Sequence, residues 1–189
     1  MSFNTYGQKK YDSGASPVQV WAEVYGVKHG GGVIEGFEAL PVGSVIPAGT
    51  PVHLDKAGGT IKVLKTYEVA EDTTTATIKL YSRFGLPKAT DTLVLGEDEH
   101  TVSSVADAVD GIAEVTLSAV ITAAKGDVLT DDSGIKVNGL IWHDVVKEEG
   151  DSLGTGAVVD GGRIFADRAP ALPASIENEL VTVKFEKGI

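Results

Sequence analysis

IPAGTPVHLDKAGGTIKV, residues 46–63, reads as two short strands joined by a tight turn. Val52 and Leu54 alternate with polar neighbours, and Ile61 and Val63 resume the alternation after Ala57-Gly58-Gly59. A period of two marks a strand with one buried face. Paired glycines supply the positive φ that a hairpin turn demands. Pro47 and Pro51 bracket Ala48-Gly49-Thr50. Proline brings no N–H to a ladder, so this segment belongs at a sheet edge or a strand start. No side chain here is poised for chemistry, so the stretch predicts architecture, a β-rich domain, and leaves function to the rest of the chain.

Composition agrees. The chain has 189 residues, 42% of them hydrophobic, enough for one domain or two small ones around a sizeable core. With 23 Gly, 7 Pro and a single Met, turns should be frequent and long helices few. Lys and Arg number 16 against 27 Asp and Glu, a formal charge of −11. That balance argues against a nucleic-acid partner, since phosphate contacts need clustered Lys and Arg. It suits a soluble protein, or one working on the outer side of an assembly and away from a packaged polyanion. Cysteine is absent, so disulfide and thiolate chemistry are excluded. The N-terminal MSFNTYGQKKYDSGASP lacks the apolar stretch of a secretory signal. No run approaches the ~18 apolar residues of a membrane span. The expectation is a soluble protein made in a cytosol, with no membrane partner.

Outward from the opening stretch, residues 1–16 are polar and read as a flexible arm. PVQVWAEVY, residues 17–25, alternates as a strand. Val18, Val20, Ala22 and Val24 fall on one face, and Gln19, Trp21, Glu23 and Tyr25 on the other. Aromatics on the second face imply that something packs there, either the chain's own body or a neighbouring subunit met by edge addition. Val18, Val20, Trp21 and Tyr25 are therefore the candidate contacts with a neighbouring subunit. GVKHGGGVIEG, residues 26–36, reads as a linker. Residues 76–81, 92–95, 100–105 and 112–117 read as strands, the last two across an Asp110-Gly111 hairpin signal. ITAAKGDVLTDDSG, residues 121–134, echoes the opening stretch by aligning Ile121 with Ile46, Gly126 with Gly49, Val128 with Val52 and Leu129 with Leu54. The irregular period favours two similar strand beginnings over a duplication. Ala171–Leu180 reads as the one helix, with Pro173 at its first position and Leu172, Ile176 and Leu180 on one face. Val181–Phe185 reads as a closing strand.

The residues that carry chemistry are scattered. His29, His53, His100 and His143 each stand without a second ligand at metal spacing. Glu97-Asp98-Glu99 and Asp131-Asp132-Ser133-Gly134 lack the alternating pattern of a calcium loop. His29-Gly30-Gly31-Gly32 is similar to an esterase oxyanion loop, but no Gly-x-Ser-x-Gly elbow accompanies it. No phosphate-binding glycine motif occurs. The expectation is a non-enzymatic protein with no cofactor and no metal.

Ala48-Gly49-Thr50-Pro51-Val52-x-Leu54-Asp55 resembles the opening of the head decoration proteins of tailed bacteriophages. The end of the chain resembles them too: Gly154-Thr155-Gly156-Ala157-Val158-Val159, then Gly162-Arg163-Ile164, a short helix from Pro173 to Leu180, and a last apolar strand. The middle, with TIKLY, TVSSV and Ala124-x-Gly126-Asp127-Val128-Leu129, is similar to small β modules of other phage head proteins, and the N-terminal part to the base of head fibres. The resemblance implies a mainly β protein, a small barrel or sandwich body with one short C-terminal helix and an inserted β module. The expected division is an arm with one strand over 1–30, a body from 31–65 plus 126–189, and an insert over 66–125. The implied function is a structural virion protein on the outer capsid surface, decorating or cementing the shell or anchoring a head fibre. Its implied partner is the major capsid protein, and its implied form a homotrimer. The alternative is a carbohydrate-binding or adhesion module using Trp21 or Trp142 as a platform.

Overall fold

The computed structural model describes residues 19–132 and 134–187. The first part of the chain forms β1 (Trp21–Ile34), β2 (Val45–Ile46), β3 (Pro51–Asp55) and β4 (Thr60–Val63). The middle forms β5 (Thr66–Glu68), β6 (Thr77–Tyr81), β7 (Thr92–Leu95), β8 (Asp98–Val105), β9 (Ile112–Leu117) and β10 (Val128–Thr130). The last part forms β11 (Gly139–Ile141), β12 (Val145–Val146), β13 (Thr155–Phe165), α1 (Ala174–Glu179) and β14 (Val183–Glu186).

Two curled sheets, each six-stranded, sort most of these elements. The body has the order β1-β4-β3-β11-β13-β14, and β1 also pairs with β13, so the pairing runs back on itself. The inserted module has the order β5-β10-β7-β8-β9-β6, and a bridge from Val69 to Leu80 joins its two ends. The chain is thus mainly β, a curled body with an inserted β module and one short C-terminal helix.

The turn signals act where they stand. β3 and β4 pair Val52 with Val63 and Leu54 with Ile61, and Gly59 takes the left-handed φ of +66 that the reversal needs. Pro51 opens β3, which lies inside the sheet between β4 and β11, so its missing N–H is tolerated at a strand start rather than an edge. Between β8 and β9, Asp110 and Gly111 have φ of 53 and 80 while Val109 and Ile112 exchange backbone hydrogen bonds. The echoing stretches begin one strand in each sheet by the same device. Gly49 and Gly126 have φ of 84 and 89, each two residues before its strand. Gly49 N–H donates to Ile141, whose own N–H donates to Thr50; Gly126 N–H donates to Val69, whose own N–H donates to Asp127.

The linker expected over 26–36 is overturned: β1 continues through it to Ile34. Gly26, Gly31 and Gly32 serve close approach, while Gly30 and Gly36 take a left-handed φ in open space. β1 lies against Gly156, Gly161 and Gly162 of β13. A Cβ on Gly162 would come within 2.6 Å of the Glu23 carbonyl oxygen, and one on Gly31 within 2.5 Å of that of Gly156. Only two bare backbones fit side by side there. Two of the expected boundaries therefore move. Residues from Trp21 onward belong to a body strand, while residues 1–18 lie outside the described ones. Val128–Thr130, expected in the body, pairs with β5 and β7 of the module.

The body is buried on both faces of its central strands. Leu140 and Val159 join a cluster with Trp21, Ile164, Leu172 and Leu180, while the adjacent Ile141 and Val158 join Ile34, Phe37, Val52 and Ile61. The first cluster is roofed by the segment from Ala169 to Val183. Leu172, Ile176 and Leu180 all pack on that cluster, although α1 is shorter than expected, only Ile176 lies within it, and Pro173 caps it from outside. The module has its own core of Tyr67, Val69, Ile78, Leu80, Leu93, Val102, Val115 and Leu129.

Candidate functional site

The chain crosses between body and module twice, and the crossings are tied together. Lys65 N–H donates to Asp131 Oδ1 at 2.8 Å, and Asp131 N–H donates to the Lys65 carbonyl at 3.1 Å. Lys65 Nζ stands 3.7 Å from Asp131 Oδ2, and Lys62 Nζ 2.7 Å from Asp132 Oδ2. Asn138 closes the return, accepting from Leu54 N–H at 2.9 Å and donating to the Leu54 carbonyl at 3.0 Å. A third tie runs from Arg83 Nη1 in the module to the Asp167 carbonyl in the body at 2.7 Å.

Between these ties lies a cleft of about 550 Å³. The body contributes Ile34, Leu40, Val45, Ile46 and Val63 to it, and the module Tyr67, Phe84 and Leu86. Glu35, Lys62, Lys65, Lys88 and Asp131 supply its charges. Burial pushes the Asp131 carboxyl above the ordinary carboxylate range, opposed by the Lys65 N–H and ammonium. The hydrogen bond from Lys62 holds Asp132 below that range. Burial also pushes the Tyr67 hydroxyl up, reinforced by the charges of Asp131 and Asp91. The lining is mostly apolar with a few polar groups, a composition common to ligand clefts. Among the described residues, no three or more His, Cys, Asp or Glu are grouped to hold a metal ion. Among the same residues, no helix is long and apolar enough to cross a membrane.

The residues expected to make outside contacts divide. Val18 lies outside the described residues. Val20 is half-buried against the body core, and its carbonyl accepts from Phe165 N–H at 2.9 Å. Trp21 is 8% exposed, and its Nε1 donates to the Trp142 carbonyl at 3.0 Å. Tyr25 is 64% exposed, and its hydroxyl donates to the Thr182 carbonyl at 2.9 Å. The strict alternation expected over these residues fails because the β1–β13 register shifts between Trp21 and Glu23 and again between Val24 and Gly26. Such bulges re-aim side chains. They let Val20, Trp21 and Val24 all pack on one core.

The cleft itself was not legible beforehand. Its residues come from segments around Ile34, Val63, Phe84 and Asp131, and no local pattern links them. The only local hint is the short apolar loop at Phe84-Gly85-Leu86, which lacks strand alternation. Comparison with family models, curated proteins and solved structures finds no match to this chain.

Proposed function

We propose that the chain is a structural virion protein that decorates or cements the outer surface of a tailed-phage capsid, or anchors a head fibre. Its partner in this reading is the major capsid protein, and its working form a homotrimer. The observation that carries the reading is that the segments bearing the resemblance fold together. Residues 48–55 form the turn into β3, residues 154–164 hold most of β13, and β11 joins the two strands. The segment through α1 to β14 then covers and extends the same sheet. The surface also offers apolar contact area. Tyr25 and Val181, at 64% and 85% exposed, flank Thr182, and Val42 and Val45 stand exposed at the β2–β12 ladder. Three-fold repetition would multiply weak contacts of this size into firm attachment. Trp21 is withdrawn into the core and offers no sugar platform, and half-buried Trp142 carries His143 stacked on it at 4.6 Å.

The test is co-sedimentation with empty heads of the parent phage. The expected result is saturable binding that Tyr25→Ser combined with Val181→Ser weakens, with the far-UV spectrum unchanged. Absence of binding to the heads by the intact chain overturns the reading. A truncation meant to test an arm must stop at residue 18, because removal through residue 25 takes Trp21 from the core.

A further inference from the structure

We propose that the cleft between body and module binds a small organic anion, an apolar body of several carbons with one carboxylate head. Such a site is separate from any capsid role, and neither reading needs the other. The cleft, at about 550 Å³, falls within the roughly 300–1,000 Å³ of small-molecule sites. Leu40, Val45 and Val63 of the body and Phe84 and Leu86 of the module line it, and each is partly or well exposed. A ligand's apolar body laid against them removes apolar surface from water on the protein's side and its own.

Two neighbours in β5 bring unmet polar groups to this cleft. Tyr67 is 4% exposed and lines it, and among the described residues nothing hydrogen-bonds its hydroxyl. Thr66 lines it too, and its Oγ1 is buried without a partner. Buried polar groups in folded proteins nearly always have one. Burial pushes the Tyr67 hydroxyl up, so it keeps its proton and can donate at neutral pH. The charges then select the sign of the ligand. Lys62 is engaged by Asp132 and feels Glu35, and Lys65 faces Asp131. Asp91 is taken up by the Lys88 N–H, and the Lys88 ammonium makes no ion pair among the described residues. An ionised carboxylate only accepts hydrogen bonds, and those it receives are charge-assisted. A carboxylate head therefore suits the hydroxyl donors and the spare ammonium alike, whereas an ammonium head would meet Lys88 with like charge.

The experiment titrates the full chain with octanoate, octanol and octyltrimethylammonium, each below its micelle or solubility limit, by calorimetry and by amide chemical-shift mapping. Octanoate should bind about tenfold more tightly than octanol, octyltrimethylammonium should bind most weakly, and the shifts should centre on residues 63–67 and 84–88. Tyr67→Phe keeps the ring in the module core; it should weaken octanoate about fivefold and leave the melting temperature unchanged. Lys88→Gln should weaken octanoate by a similar factor and leave octanol unaffected. Absence of saturable octanoate binding overturns the proposal, as do equal affinities for octanoate and octanol, or shifts centred elsewhere. A lowered melting temperature in Tyr67→Phe shows a structural role for the hydroxyl and overturns it too. Shifts at the cleft that follow protein concentration without any ligand assign the cleft to a second copy and have the same consequence.

Discussion

Leu129→Ala tests whether the inserted module is a separate folding unit. Leu129 is fully buried in β10, opposite Tyr67 of β5, in a core that shares no residue with the two clusters of the body. Truncating a buried Leu loses its transfer free energy and leaves a cavity, about 3 kcal/mol in a site that cannot collapse. The closed pairing of the module argues against collapse, because β10 is held between β5 and β7. At a urea dependence of about 1–1.5 kcal/mol per molar for a small unit, the module's midpoint should fall by ~2–3 M. Both tryptophans, Trp21 and Trp142, lie in the body, so their fluorescence reports its unfolding alone. Far-UV circular dichroism reports both units. The expected outcome is a dichroism transition displaced to lower urea, or already passed in buffer, with the fluorescence transition moved by less than about 0.5 M. If the two probes move together by the full amount, body and module unfold as one cooperative unit, and separate cores do not mean separate stabilities here.

Two further outcomes follow from the geometry. Gly162→Ala places a methyl group 2.6 Å from the Glu23 carbonyl oxygen and against the Trp21 ring; it should cost about 1–3 kcal/mol and shift the tryptophan emission to the red, and an unchanged melting temperature would refute the close approach of β1 and β13. The Asp131 carboxyl, raised by burial, binds its proton more tightly in the folded chain than in the unfolded one, so its contribution is fully present below about pH 4 and is lost as pH rises through the raised value. Asp132, lowered by Lys62, contributes in the opposite sense, present above the ordinary range and lost as pH falls through its lowered value. Asp131→Asn should therefore remove a decline in melting temperature on the side above about pH 4 and leave the acid limb, and superimposable profiles for the two proteins would count against a buried Asp131.

What the sequence by itself determined about this protein is whatever its neighbours along the chain enforce. Alternation at Val52, Leu54 and Ile61 required a strand with a buried face, and Asp110-Gly111 required a reversal, because both depend on one residue's φ or on the next residue but one. That Leu172, Ile176 and Leu180 turn to one core was legible from their spacing, although only Ile176 lies within α1. The tertiary structure alone decided how the glycines of residues 26–36 behave. Isolated, they permit a loose linker; set against Gly161 and Gly156, Gly26 and Gly31 permit two backbones to touch. It decided the inward turn of Trp21, through bulges whose register is set by a strand far along the chain. It also decided the cleft, since Phe84 and Val45 come to line one cavity only when two separately curled sheets are tied at Lys65 and Asp131. Pairing across such distances is a choice among many partners, made by burial and fit over the whole chain, and no short stretch carries it.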